Sequence, residues 1–239
     1  MVKLSDLKVE IYADGADIES FINLNSKTFI KGFTTNPSLM KKNGVKNYAD
    51  FAKNLLSKIK DKPISFEVFA DDLESMEFQA KKIASWGKNV FVKIPITNTK
   101  RETSKTLIKI LNNNYKISCN ITAIFTLDQV QSIVDVVNDT TPLILSIFAG
   151  RIADSGIDPL PIIKKAIDLA KNKKNIKILW ASTRELLNIF QANEVNCHII
   201  TVPNEILKKI EYIGKDQNAF SLETVIDFYK DAKSAGFKI

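Results

Sequence analysis

The chain has 239 residues, 45% hydrophobic and 26% charged, a balance that supports a packed core and excludes a disordered chain, which would be poorer in apolar residues. Lys and Arg outnumber Asp and Glu by 34 to 27, a formal charge of +7, so an anionic partner has to be weighed. The lysines come as singles and pairs on helical stretches, such as Lys41-Lys42, Lys81-Lys82 and Lys164-Lys165. A dense basic tail or an aromatic-lined basic strip would point to nucleic acid, and neither is present.

In chain order, the opening Met1–Asp6 reaches polar and acidic residues at once, and no run approaches the ~18 apolar residues of a membrane span. The expectation is a cytoplasmic protein without a membrane partner. From there β-branched or aromatic runs alternate with longer amphipathic stretches, the pattern of a parallel sheet with helical crossovers. The predicted strands are Val9–Asp14, Thr28–Thr34, Ile64–Phe69, Val90–Ile96, Ile117–Ile124, Leu143–Gly150, Ile178–Ser182 and Ile199–Val202. Helical periodicity fills the intervals, as in Tyr48–Lys60 with Phe51, Leu55, Leu56 and Ile59 on one side.

After the last strand, Asn204–Ile213 reads as a closing helix. Ser221–Ala235 reads as an additional one, opened by an imperfect capping box of Ser221 with Thr224 or Glu223. Its apolar residues Leu222, Val225, Ile226 and Tyr229 must cover something, either the barrel or another subunit, and a homo-oligomer is expected. Eight βα units in this length fit a closed barrel, and the first turn, Asp14-Gly15-Ala16-Asp17, lacks the G-x-G-x-x-G of dinucleotide-binding sheets. The predicted fold is an α/β (β/α)8 TIM barrel in one domain, with the barrel over about 8–213 and the C-terminal helix over about 221–235. Cys119 and Cys197 show no C-x-x-C spacing and read as buried, reduced strand residues.

In such a barrel the chemistry gathers at the carboxyl ends of the strands. There the sequence places Asp14, Thr34-Thr35-Asn36-Pro37, Glu67, Lys93, Asn120, Thr122, Ser146, Arg151, Ser182 and Arg184. Lys93 stands inside the apolar strand Val90-Phe91-Val92-Lys93-Ile94-Pro95. Desolvation there is expected to lower its pKa toward ~7–8, leaving a neutral amine that attacks a carbonyl. The alternative is a lysine that points outward or simply pairs with Glu67 or Asp14.

Two carboxylates near a Schiff-base lysine can divide the proton transfers, and Asp14 and Glu67 are the candidates. Asp14 can equally cap a helix beginning near Ala16, whereas Glu67, inside a strand, has no capping job. Arg151 and Arg184 follow strands 6 and 7, where barrels often hold phosphate, with surface ion pairs as the alternative for each. His198 is the only histidine, is assigned to strand packing, and leaves no triad or two-His metal site to build. No metal or cofactor is expected.

The strings Phe33-Thr34-Thr35-Asn36-Pro37-Ser38-Leu39, Phe91-Val92-Lys93-Ile94-Pro95, Cys119-Asn120-Ile121-Thr122 and Phe148-Ala149-Gly150-Arg151-Ile152 resemble transaldolases, specifically the short-chain branch that includes fructose-6-phosphate aldolase. The resemblance runs from Tyr12 to about Pro203 and has the lysine on strand 4, where most other Schiff-base barrel aldolases have it on strand 6. It implies that Lys93 attacks C2 of a ketose phosphate, that Asp14 takes the C4 hydroxyl proton, and that Glu67 works through a water held by Thr122. It further implies that Asn36, Asn120 and Ser146 bind the three-carbon unit and that Arg151, Arg184 and Ser182 hold the aldose phosphate.

The implied reaction moves a dihydroxyacetone unit from sedoheptulose 7-phosphate or fructose 6-phosphate to an aldose phosphate, as in the pentose phosphate pathway. Transaldolases resemble this chain in having Glu at position 67, whereas fructose-6-phosphate aldolases carry Gln. The chain departs from longer transaldolases in lacking a proline after Ser146 and in the wording of Trp180-Ala181-Ser182-Thr183-Arg184. The alternatives are an aldolase that releases dihydroxyacetone and a barrel without catalysis that acts as a binding protein.

Overall fold

Eight short β-branched segments pair in parallel and in chain order, and the first closes on the last, in a computed structural model that describes residues 4–239. The strands are β1 (Glu10–Asp14), β2 (Ile30–Thr34), β3 (Ile64–Glu67), β4 (Val90–Pro95), β5 (Cys119–Ile124), β6 (Leu143–Ile147), β7 (Ile176–Trp180) and β8 (Ile199–Pro203). Between them run α1 (Ile18–Asn25), α2 (Pro37–Lys42), α3 (Tyr48–Lys58), α4 (Leu73–Ala84), α5 (Lys105–Lys109), α6 (Leu127–Val134), α7 (Ala149–Asp154), α8 (Leu160–Ala170) and α9 (Leu187–Glu194). After β8 come α10 (Asn204–Leu207) and α11 (Gln217–Ser234). Among the described residues no helix is long and apolar enough to cross a membrane.

Parallel strands are buried on both faces, so alternation along each strand sorts residues into a helix-facing core and a barrel interior. The larger core lies between strands and helices and includes Ile11, Phe33, Ile64, Phe66, Val92, Ile121, Leu145 and Ile178. A smaller cluster of Tyr12, Ile144, Leu179, Ala181 and Ile199, with Phe91 and Phe148 against it, fills the interior. Gly32 leaves room for this plug, because a Cβ there would meet the Tyr12 ring at 2.6 Å. Two residues further along most of these strands the inward positions turn polar: Asp14 follows Tyr12, Lys93 follows Phe91, Ser146 follows Ile144 and Thr201 follows Ile199. The barrel is thus sealed below and chemically equipped above.

Several boundaries differ from those expected. Strand β3 stops at Glu67 rather than Phe69, because the amides of Phe69 and Ala70 turn to Gln79 Oε1 at 2.8 and 3.0 Å. Strand β6 stops at Ile147, and Ala149 already opens α7. The closing helix divides into α10 and a 3-10 turn over Lys208–Tyr212. The C-terminal helix starts at Gln217, where Asp216 accepts the Ala219 N–H at 2.9 Å; Ser221 lies inside the helix and caps nothing. Both cysteines are buried and free, yet only Cys119 is on a strand; Cys197 precedes β8.

Candidate active site

The polar upper layer opens into a cavity of about 560 Å³ whose lining includes all ten side chains expected to act: Lys93, Asp14, Glu67, Thr122, Asn36, Asn120, Ser146, Arg151, Ser182 and Arg184. Strand register explains the convergence of the first group. Glu67 stands directly opposite Lys93 across β3 and β4, and Lys93 opposite Asn120 across β4 and β5.

Lys93 points inward and is only 7% exposed. Its Nζ donates to the Thr35 carbonyl at 2.9 Å and lies 3.0 Å from Glu67 Oε2. Of the two expected arrangements, the buried lysine and the ion pair with Glu67, the structure contains both at once. A carboxylate in contact with the amine is also a place for the proton that the amine must lose before it attacks a carbonyl.

Asp14 ends β1 and accepts the Thr34 hydroxyl at 2.7 Å. Burial raises its carboxyl pKa, opposed by the charge of Lys93 and by the Thr34 hydrogen bond. It is not a helix cap: α1 is capped by Asp17, which accepts the Ser20 N–H at 2.7 Å. The Thr34 hydroxyl also meets that of Thr201.

On the other side, Ser146 Oγ donates to Asn120 Oδ1 at 2.6 Å and Asn120 Nδ2 donates to Ser65 Oγ at 3.0 Å. Asn36 serves first as N-cap of α2, accepting the Leu39 N–H at 2.9 Å, so its amide nitrogen is the end left for a ligand. Thr122 precedes a bulge in β5 at which Ala123 takes φ +60°; bulges of this kind re-aim side chains beside active sites.

The two arginines are placed differently. Arg151, on the first turn and a half of α7, has its guanidinium 5.8 Å from the Phe148 ring centroid. Arg184 pairs with the Asp154 carboxylate through Nε at 3.2 Å and through a terminal nitrogen, with both side chains about half exposed. The ion pair foreseen as the alternative for Arg184 is therefore formed, at the rim of the cavity. Ser182 lies between them at φ +64°, and its carbonyl passes so close to Gly150 that a Cβ there would come within 1.6 Å of it.

Sequence reasoning missed Thr201, Ser65, Asp154 and the backbone carbonyl of Thr35. Thr201 and Ser65 carry a usable signal, a hydroxyl two residues from an inward apolar or acidic neighbour on the same strand. His198 lies just before β8, not on a strand, and its Nδ1 accepts the Ile178 N–H at 3.0 Å. Among the described residues no three His, Cys, Asp or Glu side chains gather as a metal-ligand set.

Residues 11–239 match the sequence pattern of the family described as Transaldolase/Fructose-6-phosphate aldolase. The chain belongs to this family. A "Probable transaldolase" from a Thermoanaerobacter species is 30% identical over 232 residues, covering 97% of this chain and 100% of that protein. One from Nitrosopumilus maritimus is 30% identical over 204 residues, covering 84% and 87%. The crystal structure of KGPDC from Streptococcus mutans superposes with a TM-score of 0.56 at 12% identity, covering 84% of this chain and 90% of that one, a likeness of fold alone. For this member of the transaldolase/fructose-6-phosphate aldolase family, the match begins one residue into β1 and takes in the other seven strands and α11.

Proposed function

We propose that the protein is a transaldolase that carries a dihydroxyacetone unit on Lys93. The observation that carries this reading is a buried lysine amine at the carboxyl end of β4, 3.0 Å from one carboxylate and close enough to a second, Asp14, to lower its pKa against burial. Once Glu67 has accepted a proton from Nζ, the amine attacks C2 of the ketose phosphate. Loss of water gives an iminium that withdraws electrons from the C3–C4 bond. Asp14 takes the proton of the C4 hydroxyl as that bond breaks, the aldose leaves, and the electron pair stays on the three-carbon unit as an enamine. An incoming aldose phosphate is attacked by the enamine, and hydrolysis frees Lys93.

In this reading Asn36, Asn120 and Ser146 hold the hydroxyls of the three-carbon unit, and Thr122 holds the water used with Glu67. Arg151, Ser182 and Arg184 hold the phosphate, Arg184 exchanging Asp154 for it. Glu67 favours transfer over simple release of dihydroxyacetone, since the aldolase branch carries Gln there. The partners are then sugar phosphates of the cytoplasm together with further copies of this chain, with no role for nucleic acid or a membrane.

Borohydride trapping with fructose 6-phosphate and peptide mapping, beside a coupled assay with and without erythrose 4-phosphate, tests the reading. A reduced three-carbon adduct on Lys93 with turnover only in the presence of acceptor is expected. Turnover without acceptor would move the protein to the aldolase reading, and no adduct on Lys93 with any ketose phosphate would end the Schiff-base reading.

A further inference from the structure

The groups assigned above belong to the barrel strands, the loops at their carboxyl ends and the start of α7; Tyr48 does not. It opens α3 on the outside of the wall, yet its hydroxyl donates to the backbone carbonyl of Glu67 at 2.7 Å. The reason lies in the seam between β2 and β3. There Phe33 N–H bonds to Pro63 O at 2.9 Å and Thr35 N–H to Ser65 O at 3.1 Å, so the next donor in the ladder, for Glu67 O, would be the amide of residue 37. Residue 37 is proline, which has no N–H. The Tyr48 phenol supplies the donor that Pro37 lacks.

The ring is held in place to do so. Phe66, Phe69 and Trp86 surround it, with centroids at 6.5, 5.4 and 6.0 Å, and Phe66 and Phe69 flank Glu67 in sequence. The Thr35 side chain lies beside the same phenol. Both partners of Lys93 Nζ, the Thr35 carbonyl and the Glu67 carboxylate, therefore sit at the one end of this seam that Tyr48 ties down.

We propose that Tyr48 is a positioning residue that sets the Glu67 carboxylate on Lys93 by completing the β2–β3 ladder where Pro37 interrupts it. Its relevance to turnover rests on the Schiff-base reading, but the positioning itself can be measured without it. Tyr48→Phe keeps the ring and its aromatic contacts and removes only the hydroxyl. Acetylation of Lys93 by acetic anhydride, followed across pH by mass spectrometry, reports how firmly the carboxylate holds the ammonium, because only the free amine reacts.

In Tyr48→Phe the labelling profile of Lys93 is expected to move to lower pH by at least half a unit, as Glu67 loosens. Glu67→Gln should move it the same way, and adding Tyr48→Phe to Glu67→Gln should move it no further, the signature of action through Glu67. A Tyr48→Phe profile that superimposes on that of the wild type, or an equal shift in both backgrounds, would overturn the proposal. Borohydride trapping of wild-type protein with fructose 6-phosphate keeps the two readings apart. If Lys93 labels as expected but traps no ketose, the Schiff-base reading fails and the positioning role stands.

Discussion

Asp14 is the last residue of β1, with burial raising its pKa and the Lys93 charge pulling the other way. In its proposed role as base for the C4 hydroxyl it would work only when ionised, so the acid limb of kcat should lie above the ordinary carboxylate range. Asp14→Asn should lower kcat by about 10²- to 10⁴-fold. The stability effect has the opposite sign. A carboxyl whose folded pKa exceeds its unfolded value destabilises the fold increasingly as pH rises from the unfolded pKa through the folded one. Asp14→Asn should therefore unfold at higher temperature than the wild type at pH 8, with the gap closing toward pH 4 in calorimetric scans. At the rim, Arg184→Ala should raise KM for a phosphorylated acceptor by about 10- to 100-fold and change kcat little, in steady-state assays. Lys93, Glu67 and Asp14 were legible because charged residues stand out in apolar strands. Asp154 was not, because its effect comes from a partner thirty residues away in sequence.

Elements matter most where strands hand over to helices. The turn from β6 into α7 runs against the turn after β7, with Gly150 N–H bonded to Ala181 O at 3.3 Å and the Ser182 carbonyl filling the place of a Cβ. Gly150→Ala should destabilise the protein by about 3 kcal/mol or more in urea titrations, since a backbone carbonyl cannot swing aside like a side chain. The predicted strand through Gly150 ran too long because an apolar run carries no mark of where its hydrogen bonds change partner. At the opposite end of the barrel, His198 Nδ1 stands in as acceptor for the Ile178 amide. Its pKa is lowered by burial, then by Lys177, against a smaller opposing effect of Glu10. A depressed imidazole pKa means stability that is present above pH ~6.5 and lost as pH falls through the folded value. Hydrogen exchange at the Ile178 amide should accelerate over that interval, and a flat exchange profile would show that the bond does not depend on the neutral ring.

For the whole molecule, α11 is the part without a place in the core. Leu222 is 60% exposed and Phe228 68%, with Val225, Ile226 and Tyr229 also open; the packing that ties its start to the barrel side is Phe220 on Tyr212, at 5.6 Å, with Lys215 over both rings. Of the two covers expected for this face, the barrel's own wall is not the one used, and we propose the other, a second copy of the chain. Ultracentrifugation should find species above the 26.8 kDa of one chain, and removal of residues 217–239 should shift the protein to monomer. The alternation of strands and helices, the polar upper ends of the strands and the lysine in β4 were determined by the sequence itself, because periodicity and an ionisable group in an apolar run are local properties. The tertiary structure alone decided that Glu67 faces Lys93, that Thr35 lends it a carbonyl, that Asp154 holds Arg184 and that α11 stands clear. Each depends on strand register, chain closure or a contact between segments far apart, and none leaves a trace in the neighbouring residues.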